Sequence, residues 1–238
     1  MSEWAAKRFW KDAAAERAEG GYTVLLDGRN VRTPAKALLI LPNRKMADAI
    51  AAEWAAQGER IDPMQMPVTR SANAAIDKVA TQRDEVIEML AEYGATDLLC
   101  YRAEAPEELV SRQAAAWDPL LDWADAELSA RLMPVQGVMF HAQRPESLAK
   151  LRTELDALTP FQLAAAHDLI SISGSLVLAC AVMRGETSPE DAWAAARIDE
   201  TWQEEQWGVD EEARVMADAK RNAFLHAAYF FGLSDPSS

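Results

Sequence analysis

The carboxylates best placed to do chemistry gather between Ser188 and Val209. At about 100° per residue, a step of seven returns to nearly the same face of a helix, so Trp193, Glu200 and Trp207 share one stripe. Arg197 and Glu204 lie beside that stripe and Gln203 at its edge. A carboxylate between two indoles on an accessible face suits protein recognition, because Trp is enriched at interface hot spots and a desolvated carboxylate selects a cationic or amide-donating partner. The same spacing fits an interior helix: Ala195, Ile198, Trp202 and Val209 form a second apolar stripe, and with both stripes buried Glu200 would pair with Arg197. A third chemistry is hydrolytic. Asp199, Glu200, Glu204 and Glu205, with Glu85 and Glu88 from another helix, could hold Mg²⁺ as in helical nucleotide pyrophosphohydrolases, since a hard cation needs several carboxylates on facing helices.

Other reactive side chains are isolated. His141, His167 and His226 are widely separated and lack the spacing of a zinc or di-iron site; His167-Asp168 is a single pair without further ligands, expected as a capped or partly exposed histidine. Ser173-Gly174-Ser175 lacks the surroundings of a nucleophile elbow and reads as small residues for close packing in an apolar helical run. Cys100 and Cys180 sit in apolar runs with no metal spacing, which predicts two buried, reduced thiols. Gly20-Gly21 and Gly28 are isolated turn glycines, not a phosphate loop, so no nucleotide cofactor and no ATP-driven motor are expected.

These candidates must be positioned by two textures of sequence. Tyr22 to Leu26, Asp27-Gly28 and Arg29 to Thr33 read as a hairpin, because Asp and Gly tolerate the positive φ of its turn. After the short run Ala37 to Leu41, a helix is predicted over Arg44 to Gln57, capped by Asn43 and stopped by Gly58. Ile61 to Val68, with Pro63 and Pro67, reads as an extended connector. From Ser71 the pattern is helical, with Thr81 as the cap of a segment ending at Gly94 and Pro106, Pro119, Pro145, Pro160 and Pro189 at helix starts. No comparable strand signal follows Arg102, and Ser188 to Gly208 reads as one helix. The expected class is α+β: a small mixed α/β domain over residues 1–69, then a larger all-helical domain of six to eight helices over 70–238.

Composition bounds the partners. The 238 residues are 50 % hydrophobic, enough for a real core, and the formal net charge of −14 opposes nucleic-acid phosphates and anionic membrane surfaces. Leu169 to Met183, the most apolar stretch, is shorter than the ~20 residues of a membrane span and is interrupted by serines, so no membrane insertion is expected. Met1 to Lys11 mixes Trp4, Phe9 and Trp10 with charges, unlike a secretory signal.

Motifs in a fixed order carry a resemblance. Lys7-Arg8-Phe9-Trp10, Leu26-Asp27-Gly28-Arg29 with Val31-Arg32-Thr33-Pro34, Ala49 to Trp54 with Gln57, Met66 to Arg70, and Thr96 to Tyr101 come first. Arg112-Gln113 with Trp117-Asp118-Pro119-Leu120, Gly174 to Leu178, Arg197-Ile198-Asp199-Glu200, Gln203 and Trp207-Gly208 follow. Over nearly its whole length the chain resembles the ATP synthase assembly chaperones of mitochondria and alphaproteobacteria. The resemblance implies an ATP-independent, non-enzymatic protein that binds the α subunit of the soluble catalytic sector before α meets β. It also implies that an acidic residue associated with function falls on Asp199, where the family often has Glu, with Glu200 adjacent. Asp199, Glu200, Gln203, Trp193 and Trp207 are therefore expected to form or support the partner-binding surface. Glu3 and the onset of the motif at Lys7 point to a bacterial cytoplasmic protein, or to a matrix protein whose presequence has been removed.

Overall fold

The structure is a computed structural model and describes residues 7–235. Trp4 and Glu3 lie outside the described residues. The chain packs as two compact units. One takes in the described residues up to Arg83, together with Thr159–Ala165 and those from Tyr229 on; the other holds Asp84–Leu158 and Ala166–Ala228.

The first unit is built on an antiparallel sheet of β1 (Ala13–Ala18), β2 (Gly21–Leu26) and β3 (Arg29–Asn30), in that order. Asp27 (φ 47°) and Gly28 (φ 80°) form the expected two-residue turn, with Leu26 opposite Arg29. The Asp27 carboxylate also accepts the backbone N–H groups of Lys11 and Asp12, which hold its pKa below the usual carboxylate range. β1 carries no strand signal. Its Ala-rich sequence favours helix by propensity, but Ala13 and Ala15 alternate onto the core while the ladder runs from Ala13 opposite Leu26 to Ala18 opposite Gly21. At Gly21 a Cβ would sit 2.2 Å from the Leu41 carbonyl oxygen, whose strand segment exchanges both backbone hydrogen bonds with Tyr22.

Helix α1 (Arg44–Ala55) starts as predicted, with Asn43 Oδ1 accepting the Met46 N–H, and stops two residues short of Gln57. Its buried face, Met46, Ala47, Ile50 and Ala51, packs into a core with Trp10, Val24, Leu26, Leu41 and Phe230. Burying each large aliphatic side chain of this set stabilises the fold by about 1.5–3 kcal/mol. The expected extended connector is instead a 3₁₀ turn, Pro63–Gln65, followed by α2 (Pro67–Ala74). Both prolines occupy first-turn positions where no N–H is missed. Glu53 fills the remaining need at the start of α2 by accepting the N–H groups of Val68 and Thr69 and the Thr69 hydroxyl.

The rest of the described chain is helical: α3 (Arg83–Ala91), then, after the short strand β4 (Tyr101–Arg102), α4 (Glu107–Leu128); and, after β5 (Val135–Gln136), α5 (Pro145–Asp156), α6 (Pro160–Ser173), α7 (Leu176–Met183), α8 (Pro189–Ala196), α9 (Ile198–Trp207) and α10 (Glu211–Leu233). The small sheet of the first unit and these helices make the α+β class expected. β4 and β5 add a parallel ladder of two residues each that the sequence does not signal. Thr81 does not cap α3; its hydroxyl donates back to the carbonyls of Asp77 and Lys78. Pro145, Pro160 and Pro189 open helices, but Pro119 lies inside α4 on its solvent side. Ser173-Gly174-Ser175 is a stop and a cap rather than a packing seam: Gly174 takes φ 73° and Ser175 accepts the Leu178 N–H to start α7. Within the second unit α4 packs on α7, α8 and α9. Among the described residues no helix is long and apolar enough to cross a membrane.

Candidate functional site

The stripe predicted for Ser188 to Val209 is cut by a break in the helix. Ser188 caps α8 by accepting the Asp191 N–H, and Glu190 and Asp191 sit at its positive end as expected. The helix then yields at Arg197 (φ −117°, ψ 19°), and α9 begins one residue later. In a continuous helix the Asp199 N–H would bond the Ala195 carbonyl; here the buried Trp117 indole N–H of α4 donates to that carbonyl at 2.9 Å. The expectation of one unbroken helix is therefore corrected by a residue 78 positions away.

The break sorts the five expected site residues into two groups. Trp193 is 9 % exposed, packed against Phe224 at 5.9 Å between centroids with the rings tilted by 42°, and flanked by the Arg197 guanidinium at 5.6 Å. Asp199 is half-buried, and its Oδ1 accepts a hydrogen bond of 2.6 Å from Gln113 Nε2. Glu200, Gln203 and Trp207, at spacings of three and four, remain together on the exposed face of α9, with Trp207 79 % exposed. Trp193 thus lies inside, apart from the exposed face of α9. The interior-helix pairing of Glu200 with Arg197 does not form: Arg197 bonds Glu204 at 2.8 Å, one turn further on.

The inward face of α9 is held by side chains that the sequence does not connect with it. Gln113 is 1 % exposed, and its Oε1 accepts the Ala103 N–H at 2.8 Å while its amide donates to Asp199. Arg112 pairs with Glu205 at 2.8 Å and lies 4.9 Å over the ring of buried Trp202. Sequence reasoning marks Arg112, Gln113 and Trp117 only as parts of a motif, because contacts across some 80 to 90 residues leave no local pattern. A second feature it misses is the loop after β5, where Val138, Met139 and Phe140 are all exposed. Its base is pinned by buried Gln143, which bonds both the N–H and the carbonyl of Met133. Three consecutive exposed apolar residues beside Gly137 are the available signal.

Metal chemistry finds no assembled ligand set. Of the six carboxylates considered for Mg²⁺, Glu88 pairs with Arg152, Asp199 with Gln113, Glu204 with Arg197 and Glu205 with Arg112. Among the described residues no three His, Cys, Asp or Glu side chains converge to hold a metal ion. His167 Nδ1 lies 2.9 Å from Asp168 Oδ1, which raises the histidine pKa, and both are partly exposed. Cys100 and Cys180 are free and buried, and burial pushes the Cys100 thiol up to about 12.

Asp97 is a fully enclosed carboxyl group. Its carboxylate accepts the Leu99 N–H, the Ser175 hydroxyl and the Val177 N–H, so it caps both a 3₁₀ turn and the start of α7. Burial outweighs these donors and raises its pKa to about 6.

The profile of the ATP12 chaperone protein family matches residues 7–125. The chain is 27 % identical over 219 residues to the mitochondrial protein atp12 of Schizosaccharomyces pombe, covering 87 % of this chain and 75 % of that one. It superimposes on the crystal structure of Atp12 from Paracoccus denitrificans with a TM-score of 0.95 and 51 % identity, over 98 % of this chain and 100 % of the other. The Atu1473 protein of Agrobacterium tumefaciens matches with a TM-score of 0.90 and 46 % identity, over 96 % and 85 % of the two chains. A family match across half the chain, with a relative sharing half its residues along its whole length, shows that the chain belongs to the ATP12 family of ATP synthase assembly chaperones.

Proposed function

We propose that this chaperone binds the unassembled α subunit of ATP synthase and shields the surface that α later buries against β. The observation that carries the reading is the exposed face of α9, where Glu200, Gln203 and Trp207 are presented together by a helix anchored on its other side. An uncovered subunit interface is apolar at its centre and prone to misassociation. Covering it requires exposed apolar side chains, which Trp207 and the loop residues Val138, Met139 and Phe140 supply, and polar groups that set register, which Glu200 and Gln203 supply. Asp199 and Trp193 support this surface from behind. The action is binding without turnover: α is held at equilibrium and released when β competes for the same surface. The reading places the protein in a bacterial cytoplasm, or in the matrix for a mitochondrial form, with no role for nucleic acid.

Co-expression with the α subunit of the same organism, without β, tests this directly. Soluble α that co-elutes with the chaperone as a discrete complex, and leaves it when β is added, supports the proposal. Equal precipitation of α with and without the chaperone refutes it.

A further inference from the structure

We infer that Asp199 acts through Gln113 as a positioning residue that sets the pose of α9, and that Glu200 is the carboxylate which meets the client; the second half rests on the reading of α9 as client-facing. Asp199 lies on the inward side of its helix and its Oδ1 is engaged at 2.6 Å. The partner amide is buried and engaged at both ends, its Nε2 donating to Asp199 and its Oε1 accepting the Ala103 N–H. Removing the acceptor would leave a buried N–H donor unsatisfied, which is costlier than the mean value of a hydrogen bond suggests.

The architecture makes α9 dependent on such pins. It has ten residues, too few to persist alone in water, and Trp202 is its one buried side chain. Its approach to α4 is therefore set by polar and ring contacts: Trp117 to the Ala195 carbonyl, Gln113 to Asp199, and Arg112 to Glu205 and Trp202. Asp199 is the member of this set nearest the helix start, so its loss frees the turn that carries Glu200. Glu200 itself is exposed, and no hydrogen bond or ion pair among the described residues holds it. Two adjacent carboxylates thus face opposite ways, one toward α4 and one toward solvent.

The distinction is testable because an amide can replace Asp199 as acceptor without carrying its charge. Asp199→Asn keeps an oxygen for Gln113; Asp199→Ala removes it; Gln113→Leu removes the donor, together with the acceptor of the Ala103 N–H, and leaves the carboxylate. With full-length chaperone and purified α subunit, Asp199→Asn is expected to stay within about threefold of the wild-type affinity, whereas Asp199→Ala and Gln113→Leu each weaken binding about tenfold, the scale of one buried hydrogen bond. The double variant Gln113→Glu with Asp199→Asn reverses the polarity of the bond, keeps an acceptor for Ala103 and restores binding. Amide hydrogen exchange over residues 198–207 follows the same order in the absence of client: faster in Asp199→Ala and Gln113→Leu, unchanged in Asp199→Asn. Loss of binding in Asp199→Asn as large as in Asp199→Ala, with exchange unchanged, would show that the client reads the Asp199 charge and would overturn the inference. Wild-type binding by Glu200→Gln and Trp207→Ala would instead overturn the client-facing reading of α9, while the exchange data still judge the role of Gln113.

Discussion

Gln113 and Asp199 are 86 residues apart in sequence, and their side chains meet at 2.6 Å. This contact and the Trp117 bond to Ala195 join the Arg112 to Trp117 segment of α4 to the stretch around the α8–α9 break. The first supplies the donors that break, seat and orient the second.

Trp117→Phe removes the indole donor to the Ala195 carbonyl and leaves a smaller aromatic ring at a site that is 1 % exposed. We expect a loss of about 2–4 kcal/mol in urea unfolding, from the bond and the cavity together, with the slope unchanged. Exchange of the Asp199 amide should also slow, because the freed Ala195 carbonyl becomes available to it.

Glu53 closes the start of α2 with three accepted hydrogen bonds. Glu53→Ala should lower stability by about 1–3 kcal/mol, read as a lower denaturation midpoint. Glu53→Gln retains one acceptor oxygen and should lose less.

Asp97 gives the fold a specific pH response. Its native pKa of about 6 is raised above its unfolded value of 3.8, so the native state holds a proton that the unfolded chain has released between about pH 4 and pH 6. This contribution to stability is fully present below pH 4 and is lost as the pH rises through 6. The stability of the wild type relative to Asp97→Asn should therefore rise by about 1–3 kcal/mol on acidification from pH 7 to pH 4. Parallel pH profiles for the two proteins would refute the assignment.

Phe140→Ser and Met139→Ser alter exposed side chains on a loop whose base is fixed by Gln143. The melting temperature should stay unchanged, since surface substitutions away from caps and cores fall within about 0.5 kcal/mol. Binding of the α subunit should weaken.

What was legible in the sequence was local. Asp27-Gly28 reads as a turn because few other residue pairs accept two successive positive φ angles, and Asn43 reads as a cap because its side chain serves its own helix. β1 was not legible, since its alanines favour helix and become a strand only by pairing with β2. The membership of Thr159–Ala165 and the chain's last helical turns in the first unit was equally hidden, because helical periodicity does not reveal which core a helix face meets. At the candidate site the residue types between 193 and 207 were legible and their burial was not. The break at Arg197 is imposed by Trp117, and the side chosen by Asp199 is imposed by Gln113.

The proposed function requires the outer face of α9 to touch the client. A photo-crosslinking side chain at Gln203, with the exposed β1 residue Glu16 as a control position in the first unit, reads that contact. We expect a covalent adduct with the α subunit from position 203 that disappears when β is added. An adduct from position 16 with none from position 203, in a mixture where α is bound, would contradict it.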